Sequence, residues 1–194
     1  MKKLFLLCPA LLLSSWPLLT QAQGVRLGLK AGVNYSSVTS PGYKGPTRRF
    51  GPVAGVFAQL PLSSDGFLLV QPELLYSAKG SQSTYINGTF ASRLHYLDVP
   101  VLAKINVNGL FFELGPQVSF LAAARYETST GTSTSVRGSN RVGAGGAAGV
   151  GYQLSMGLGL TLRYTHDLTR LYSLGPRNTV FQAQASYLLG NKQQ

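Results

Sequence analysis

Apolar and polar residues alternate strictly along most of the chain. Between residues 25 and 36, the odd-numbered positions are Val, Leu, Leu, Ala, Val and Tyr, whereas the even-numbered positions are Arg, Lys, Asn, Gly or Ser. A side-chain period of two is typical of a β-strand with two unlike faces. This segment therefore predicts a strand that is apolar on one side and polar on the other.

Seven more segments follow this pattern, at residues 51–60, 67–79, 94–105, 110–122, 143–154, 156–167 and 179–189. Strands of soluble domains average about five or six residues, whereas a tilted strand needs about nine to eleven residues to cross a membrane. Long connections (37–50, 80–93, 123–142 and 168–178) alternate with short ones (61–66, 106–109 and a turn near Ser155). The pattern predicts an all-β fold, an eight-stranded antiparallel up-and-down transmembrane β-barrel with both termini on the short-turn side.

The polar face of these strands carries charged residues. The interior of an eight-stranded barrel is only wide enough for side chains to fill it, and buried charges persist when they are paired and hydrogen-bonded. We therefore expect a lumen that is closed by a charge network rather than an open pore. The expected members are Arg26, Lys30, Glu73, Lys79, Asp98, Lys104, Glu113, Arg163 and Asp167.

Aromatic residues lie near both ends of the apolar face. Two aromatic girdles around an aliphatic band are typical of membrane barrels. The outer set is Tyr35, Tyr76, Phe120, Tyr164 and Phe181, and the inner set is Phe112, Tyr152 and Tyr187. The alternative is a soluble lipocalin-like binding barrel, which would place the apolar face inside and the charges in water.

The N-terminus has the features of a signal peptide. Lys2 and Lys3 precede an apolar run from Leu4 to Leu13, and Thr20-Gln21-Ala22 fits a cleavage site. We expect residues 1–22 to be a cleaved leader and residues 23–194 to be one outer-membrane β-barrel domain. The single cysteine, Cys8, would leave with the leader, so we expect no disulfide in the mature chain.

The long connections are strongly basic. Without Lys2 and Lys3, the 17 basic residues fall to 15 against six acidic ones, a net charge of +9. We expect a basic external rim formed by Lys44, Arg48, Arg49, Arg93, Arg125, Arg137, Arg141, Arg170 and Arg177. Such a rim suits lipopolysaccharide phosphates, although solubility of the loops is an equal explanation. The expected partners are outer-membrane lipid, lipopolysaccharide and an unknown envelope protein or surface ligand, with no nucleic acid. The barrel is expected to be a monomer.

Catalytic chemistry has little support in the sequence. His95 is close to Asp98 and Ser92, but the alternation places His95 and His166 on the lipid side and Asp98 and Asp167 inside. We expect no catalytic residues, metal or cofactor. The glycine-rich run "GAGGAAGVG" (143–151) superficially matches a dinucleotide-binding loop, yet a strand pattern runs through it. Its small residues are expected to make room for bulky lumen side chains from neighbouring strands.

Four segments together resemble one family. "QPELLYSAKG" (71–80), "YLDVPVLAKI" (96–105), "FELGPQVSFLA" (112–122) and "LRYTHDLTRL" (162–171) are similar to the PorT-like outer-membrane β-barrels of Bacteroidetes-type bacteria. The resemblance implies an eight-stranded barrel and offers no catalytic residues to transfer. The association of PorT with gliding and protein secretion is not carried over, because the family is broad.

The sequence thus predicts a small barrel of the bacterial outer membrane, of structural or surface-interaction type. A lipid A-modifying barrel enzyme is the alternative, and the lipocalin-like binder is the third possibility.

Overall fold

The computed structural model describes residues 24–39, 48–85, 88–128, 131–134, 140–169 and 177–189. This part of the chain contains nine β-strands: β1 Arg26–Thr39, β2 Arg48–Pro61, β3 Leu68–Tyr85, β4 Gly88–Val107, β5 Leu110–Thr128, β6 Gly131–Thr134, β7 Val142–Gln153, β8 Leu158–Asp167 and β9 Arg177–Leu188. Among the described residues, no helix is long and apolar enough to cross a bilayer.

Eight of the nine strands close into an antiparallel barrel. The ring runs β1, β2, β3, β4, β5, β7, β8 and β9, and β9 pairs with β1 from Gly28↔Leu188 to Thr39↔Arg177. Neighbours in the ring are neighbours in sequence apart from the inserted β6, so the topology is up-and-down. The predicted eight-stranded barrel is confirmed. The short β6 pairs with the end of β5 outside this ring.

The two ends of the barrel differ in their connections. We call the end with the short turns the inner end. The outer end is the one with the connections β1–β2, β3–β4, β5–β7 and β8–β9. At the inner end, Asn108 (φ 51°) and Gly109 (φ 89°) form a two-residue hairpin. Such a tight turn needs positive φ at both central residues, which Asn and Gly adopt most easily. The Asp65 carboxylate stabilises another inner turn, where Ser63 and the Phe67 amide lower the pKa of Asp65.

The apolar side chains face outward. Along β8, Leu158, Leu160 and Leu162 are exposed while Gly159, Thr161 and Arg163 are buried, and Leu160 is 68% accessible. This continuous apolar exterior is suited to lipid, because a water-soluble protein rarely leaves so large an apolar surface uncovered. The soluble lipocalin-like alternative, which needs the opposite arrangement, is therefore wrong.

The outer ends of β3, β4 and β5 are longer than the sequence pattern predicted. Residues 80–93 were expected to form a long loop, yet β3 and β4 stay paired up to Tyr85↔Gly88. Part of 123–142 is likewise strand, in β5 and β6. Thr, Tyr and Phe favour strands here, although the apolar alternation fades. The predicted loop residues 40–47, 129–130, 135–139 and 170–176 lie outside the described residues.

Candidate functional site

The nine residues of the expected charge network all lie on the inward face. Eight are buried: Lys30, Glu73, Lys79, Asp98, Lys104, Glu113, Arg163 and Asp167. Arg26, close to the inner end of β1, is half-buried. The strict alternation of each strand places them there, because successive side chains point to opposite faces of the sheet.

Arg163 of β8 is the centre of the main cluster. Its Nη1 donates to Glu73 Oε2 at 2.7 Å and its Nη2 donates to Glu73 Oε1 at 2.8 Å. Its Nε donates to Glu113 Oε1 at 2.6 Å. The two-pronged contact with Glu73 is the strong geometry of an arginine–carboxylate pair. One guanidinium thereby joins strands β3, β5 and β8.

The Arg163–Glu73 pair crosses the full width of the barrel. In the closed ring, three strands lie between β3 and β8 in either direction, so the two strands stand diametrically opposite. A second contact spans another diameter nearer the outer end, where Asn178 Nδ2 of β9 donates to the hydroxyl of Tyr96 on β4 at 3.4 Å. Side chains therefore meet across the lumen at two different heights.

Neutral polar side chains extend the central cluster. Lys30 Nζ and Gln71 Nε2 both donate to Glu73 Oε1, at 2.7 and 2.6 Å, and Gln59 Nε2 donates to Gln71 at 2.9 Å. The predicted network contained only charged residues, so it did not include the glutamines. The alternation could have identified Gln71, because it lies on the same predicted face as Glu73.

Nearer the outer end, a separate group surrounds Lys79. Its Nζ lies 2.9 Å from Asp98 Oδ2 and 4.8 Å from the centre of the Tyr96 ring. Asp167 accepts a hydrogen bond from Asn178 at 3.1 Å. Together with the hydrogen bond from Asn178 to Tyr96, these contacts join strands β3, β4, β8 and β9.

Lys104 differs from the expected pairing. It stands opposite Glu113 in the β4–β5 register, yet its ammonium lies 3.5 Å from the centre of the Phe111 ring. A buried ammonium gains electrostatic stabilisation from an aromatic face. The charges thus form two clusters and an aromatic contact rather than one continuous network.

The glycines of β7 make room for lumen side chains. A Cβ on Gly149 would lie 2.8 Å from Glu113 Oε1, and one on Gly151 would lie 2.3 Å from Phe111 Cζ. The run 143–151 is strand, paired with β5 on one side and β8 on the other. The geometry matches the spacing role expected for these small residues and not a phosphate-binding turn between a strand and a helix.

The basic residues at the outer end lie largely in strands rather than loops. Arg48 and Arg49 begin β2, Arg93 and Arg125 lie in β4 and β5, and Arg177 begins β9. Arg48 Nη1 donates to the Tyr35 hydroxyl at 3.3 Å. Arg141 is exposed next to the start of β7. The remaining predicted rim residues, Lys44, Arg137 and Arg170, are outside the described residues.

Both histidines face away from the lumen. Tyr76 OH lies 2.6 Å from His95 Nδ1, and Thr179 Oγ1 lies 3.0 Å from His166 Nδ1. Asp98 and Asp167 are on the opposite side of the sheet, so neither aspartate orients the histidine next to it in sequence. Within the described ranges, no group of three or more His, Cys, Asp or Glu side chains is arranged to hold a metal ion.

Comparisons with known proteins agree with this architecture. The model of a family described as "Outer membrane protein beta-barrel domain" matches residues 21–173. Neisserial surface protein A has a similar fold, with a TM-score of 0.59, 14% identity and coverage of 85% of this chain and 99% of that chain. The attachment invasion locus protein (Ail) of Yersinia pestis, in complex with the heparin analogue sucrose octasulfate, has a TM-score of 0.52, 13% identity and coverage of 85% and 99%. No curated protein sequence matches the chain significantly.

Proposed function

This chain belongs to the outer membrane protein β-barrel domain family, and on that premise we propose that it is a closed barrel acting at the bacterial cell surface. Its role is structural or surface-interacting rather than transport. The lumen holds the barrel together, and the basic outer end meets anionic partners of the envelope.

The main support for a closed lumen is the Arg163–Glu73 pair. It crosses the barrel diameter, and both side chains are inaccessible to solvent. Opening a path for solutes would separate two buried charges. Breaking such a pair by removing one partner costs about 3–5 kcal/mol. The cluster therefore supports a sealed barrel and argues against a channel.

The surface role is supported by the charge of the outer end. Arg48 and Arg141 are exposed there, and arginine binds sulfate or phosphate groups in a two-pronged geometry. Lipopolysaccharide and other polyanions of the envelope carry such groups. The complex of Ail with the heparin analogue sucrose octasulfate supplies a convenient soluble probe.

The test uses the barrel refolded in neutral phosphatidylcholine vesicles, with binding of sucrose octasulfate measured by calorimetry in low and high salt. We expect binding that weakens strongly in about 1 M salt, where the screening length falls to about 3 Å. The double variant Arg48→Gln/Arg141→Gln should bind more weakly. An absence of binding at low salt would contradict the surface-interaction role.

We also propose that the barrel is not an enzyme. His95 contacts Tyr76 on the outer face, whereas Asp98 contacts Lys79 inside, so a base and an orienting acid do not converge. Mass spectra of lipid A from cells with and without the gene test this point. Identical spectra are expected, and a gene-dependent mass change in lipid A would favour the lipid A-modifying alternative.

Within the family, we propose a place among the PorT-like barrels of Bacteroidetes-type bacteria. The support is the four resembling segments, which cover strands β3, β4, β5 and β8 in order. Deleting the gene from its native host should leave gliding and secretion unchanged if the general surface role is correct.

A further inference from the structure

The sheet opens at the outer end between β2 and β3. Their pairing runs from Pro61↔Leu69 to Val53↔Ser77. Beyond this point β2 follows β1 as far as Ser37↔Arg48, whereas β3 follows β4 as far as Tyr85↔Gly88. The β2–β3 ladder therefore ends at this level, although Ser36 Oγ of β1 contacts the carbonyl oxygens of both Arg49 and Gly80. A cavity of about 310 Å³ lies at this end of the ladder.

Three arginines from three strands border this cavity. Arg49 comes from β2, Arg93 from β4 and Arg125 from β5. Arg49 Nη1 donates to the Ser92 carbonyl at 3.4 Å, which carries its guanidinium across to β4. The opening thus gathers positive charge from both sides of the gap.

Arg93 and Arg125 are direct cross-strand partners. The register between β4 and β5 shifts between His95 and Tyr96, and the Arg93↔Arg125 pair lies on the outer side of this irregularity. Like charges that stand directly opposite on a sheet destabilise it. A bound anion would offset that repulsion, so the pair is suited to a ligand with a phosphate-like group.

The cavity also lies at the level of a lipid headgroup. Tyr76 and His95 line it, and Tyr76 belongs to the outer set of lipid-facing aromatic residues. Tyrosines on a lipid-facing surface mark the membrane interface. Phe50 lines the cavity and also a neighbouring apolar groove of about 630 Å³ on the barrel exterior. A charged cavity and an apolar groove therefore meet at one side chain.

We propose that this cavity binds the phosphate of a phosphorylated lipid in the outer leaflet. The inference rests on the proposed surface role and makes it specific. Arg93 and Arg125 hold the phosphate, Arg49 closes the site from β2, and the acyl chains lie along the apolar exterior beside Phe50.

The experiment measures lipid retention by native mass spectrometry of the refolded full-length mature barrel. The probes are lipid A bisphosphate, the same lipid without phosphates, and inorganic phosphate. Wild-type barrel should retain lipid A bisphosphate, and the double variant Arg93→Gln/Arg125→Gln should bind it at least about tenfold more weakly, because charge-assisted hydrogen bonds are lost. Arg141→Gln, which removes one charge from the same end but outside the cavity, should weaken retention of this lipid much less than the double variant does.

A substitution of Glu127 tests the opposite effect, because it removes a negative charge rather than a positive one. Glu127 stands opposite Ala91, two residues beyond Arg125 on β5. Glu127→Gln should strengthen retention of the phosphorylated lipid, because it removes one negative charge from the same strand, two residues from Arg125.

Three results would overturn the proposal: equal retention of the dephosphorylated lipid, equal binding of inorganic phosphate, or an equal loss in Arg141→Gln. A barrel that still binds sucrose octasulfate but shows one of these results would keep its surface role and lose this site. A barrel that binds neither probe would lose both. Unchanged heat-modifiable migration of each variant on gels shows that it has folded.

Discussion

At the residue scale, the central feature is a guanidinium that joins three strands. Arg163 engages both oxygens of Glu73 and one oxygen of Glu113. Buried ion pairs are expensive to form and more expensive to break, because removing one partner leaves a charge without compensation in a low-dielectric interior. The cluster therefore makes the folded barrel highly sensitive to single substitutions within it.

We expect Glu73→Gln to destabilise the barrel by about 3–5 kcal/mol, because Arg163 and Lys30 both lose the charge of a buried partner. Urea unfolding in lipid vesicles, followed by heat-modifiable migration on gels, measures the difference. Arg141→Gln is the control and should change stability by less than about 0.5 kcal/mol. Equal unfolding of Glu73→Gln and wild-type barrels would mean that the cluster does not stabilise the fold.

The glycines of β7 allow a matched comparison at two sites. A Cβ on Gly151 would lie 2.3 Å from both Phe111 Cζ and the Leu160 carbonyl oxygen, whereas one on Gly146 would meet its nearest neighbour at 3.9 Å. Gly151→Ala should therefore cost about 1–3 kcal/mol through overpacking, and Gly146→Ala should be nearly neutral. The same unfolding assay compares them, and a larger loss in Gly146→Ala would contradict this packing account.

At the scale of the strand, β8 shows how far the period of two determines the structure. Leu160 and Leu162 face outward while Thr161 and Arg163 face inward, as the sequence pattern predicted. The alternation was readable because lipid on one side and a polar lumen on the other impose opposite demands on successive residues. Strand existence and facing could thus be derived from sequence alone.

A charge on the lipid face of β8 tests this facing directly. Leu162→Arg should cost about 2–4 kcal/mol, because Leu162 is exposed in the middle of β8 and arginine on the lipid side near the midplane is unfavourable, whereas Leu154→Arg in the inner turn should cost about 0–1 kcal/mol. Unfolding in vesicles gives both values. Similar costs at the two positions would be inconsistent with a lipid-facing β8.

The sequence pattern did not predict the outer extensions of β3, β4 and β5, for a physical reason. Strand pairing there rests on backbone hydrogen bonds between β3 and β4, which a polar segment such as "SQSTY" (81–85) makes without any apolar alternation. The sequence pattern did not predict the contacts across the lumen either. Which inward residue meets Glu73 depends on strand stagger around the closed ring, and stagger is a property of the whole barrel rather than of one strand.

At the scale of the molecule, the exterior and the interior of the barrel have different roles. The exterior is apolar and meets lipid, whereas the interior holds polar side chains that meet across the barrel at two heights, together with buried apolar side chains such as Phe57, Leu75 and Phe111. The arginines gathered at the outer end, including the opening between β2 and β3, leave that end as the place for interaction. A sealed lumen and a basic outer end are therefore complementary parts of one account.

Single-channel recording tests the sealed lumen most directly. Refolded barrel, shown to be folded by its heat-modifiable migration, is inserted into planar bilayers, and the current is recorded across a range of voltages. We expect a current that stays at the level of the protein-free membrane, because Arg163 and Glu73 close the diameter of the barrel. Stable, discrete conductance steps well above that background would contradict it.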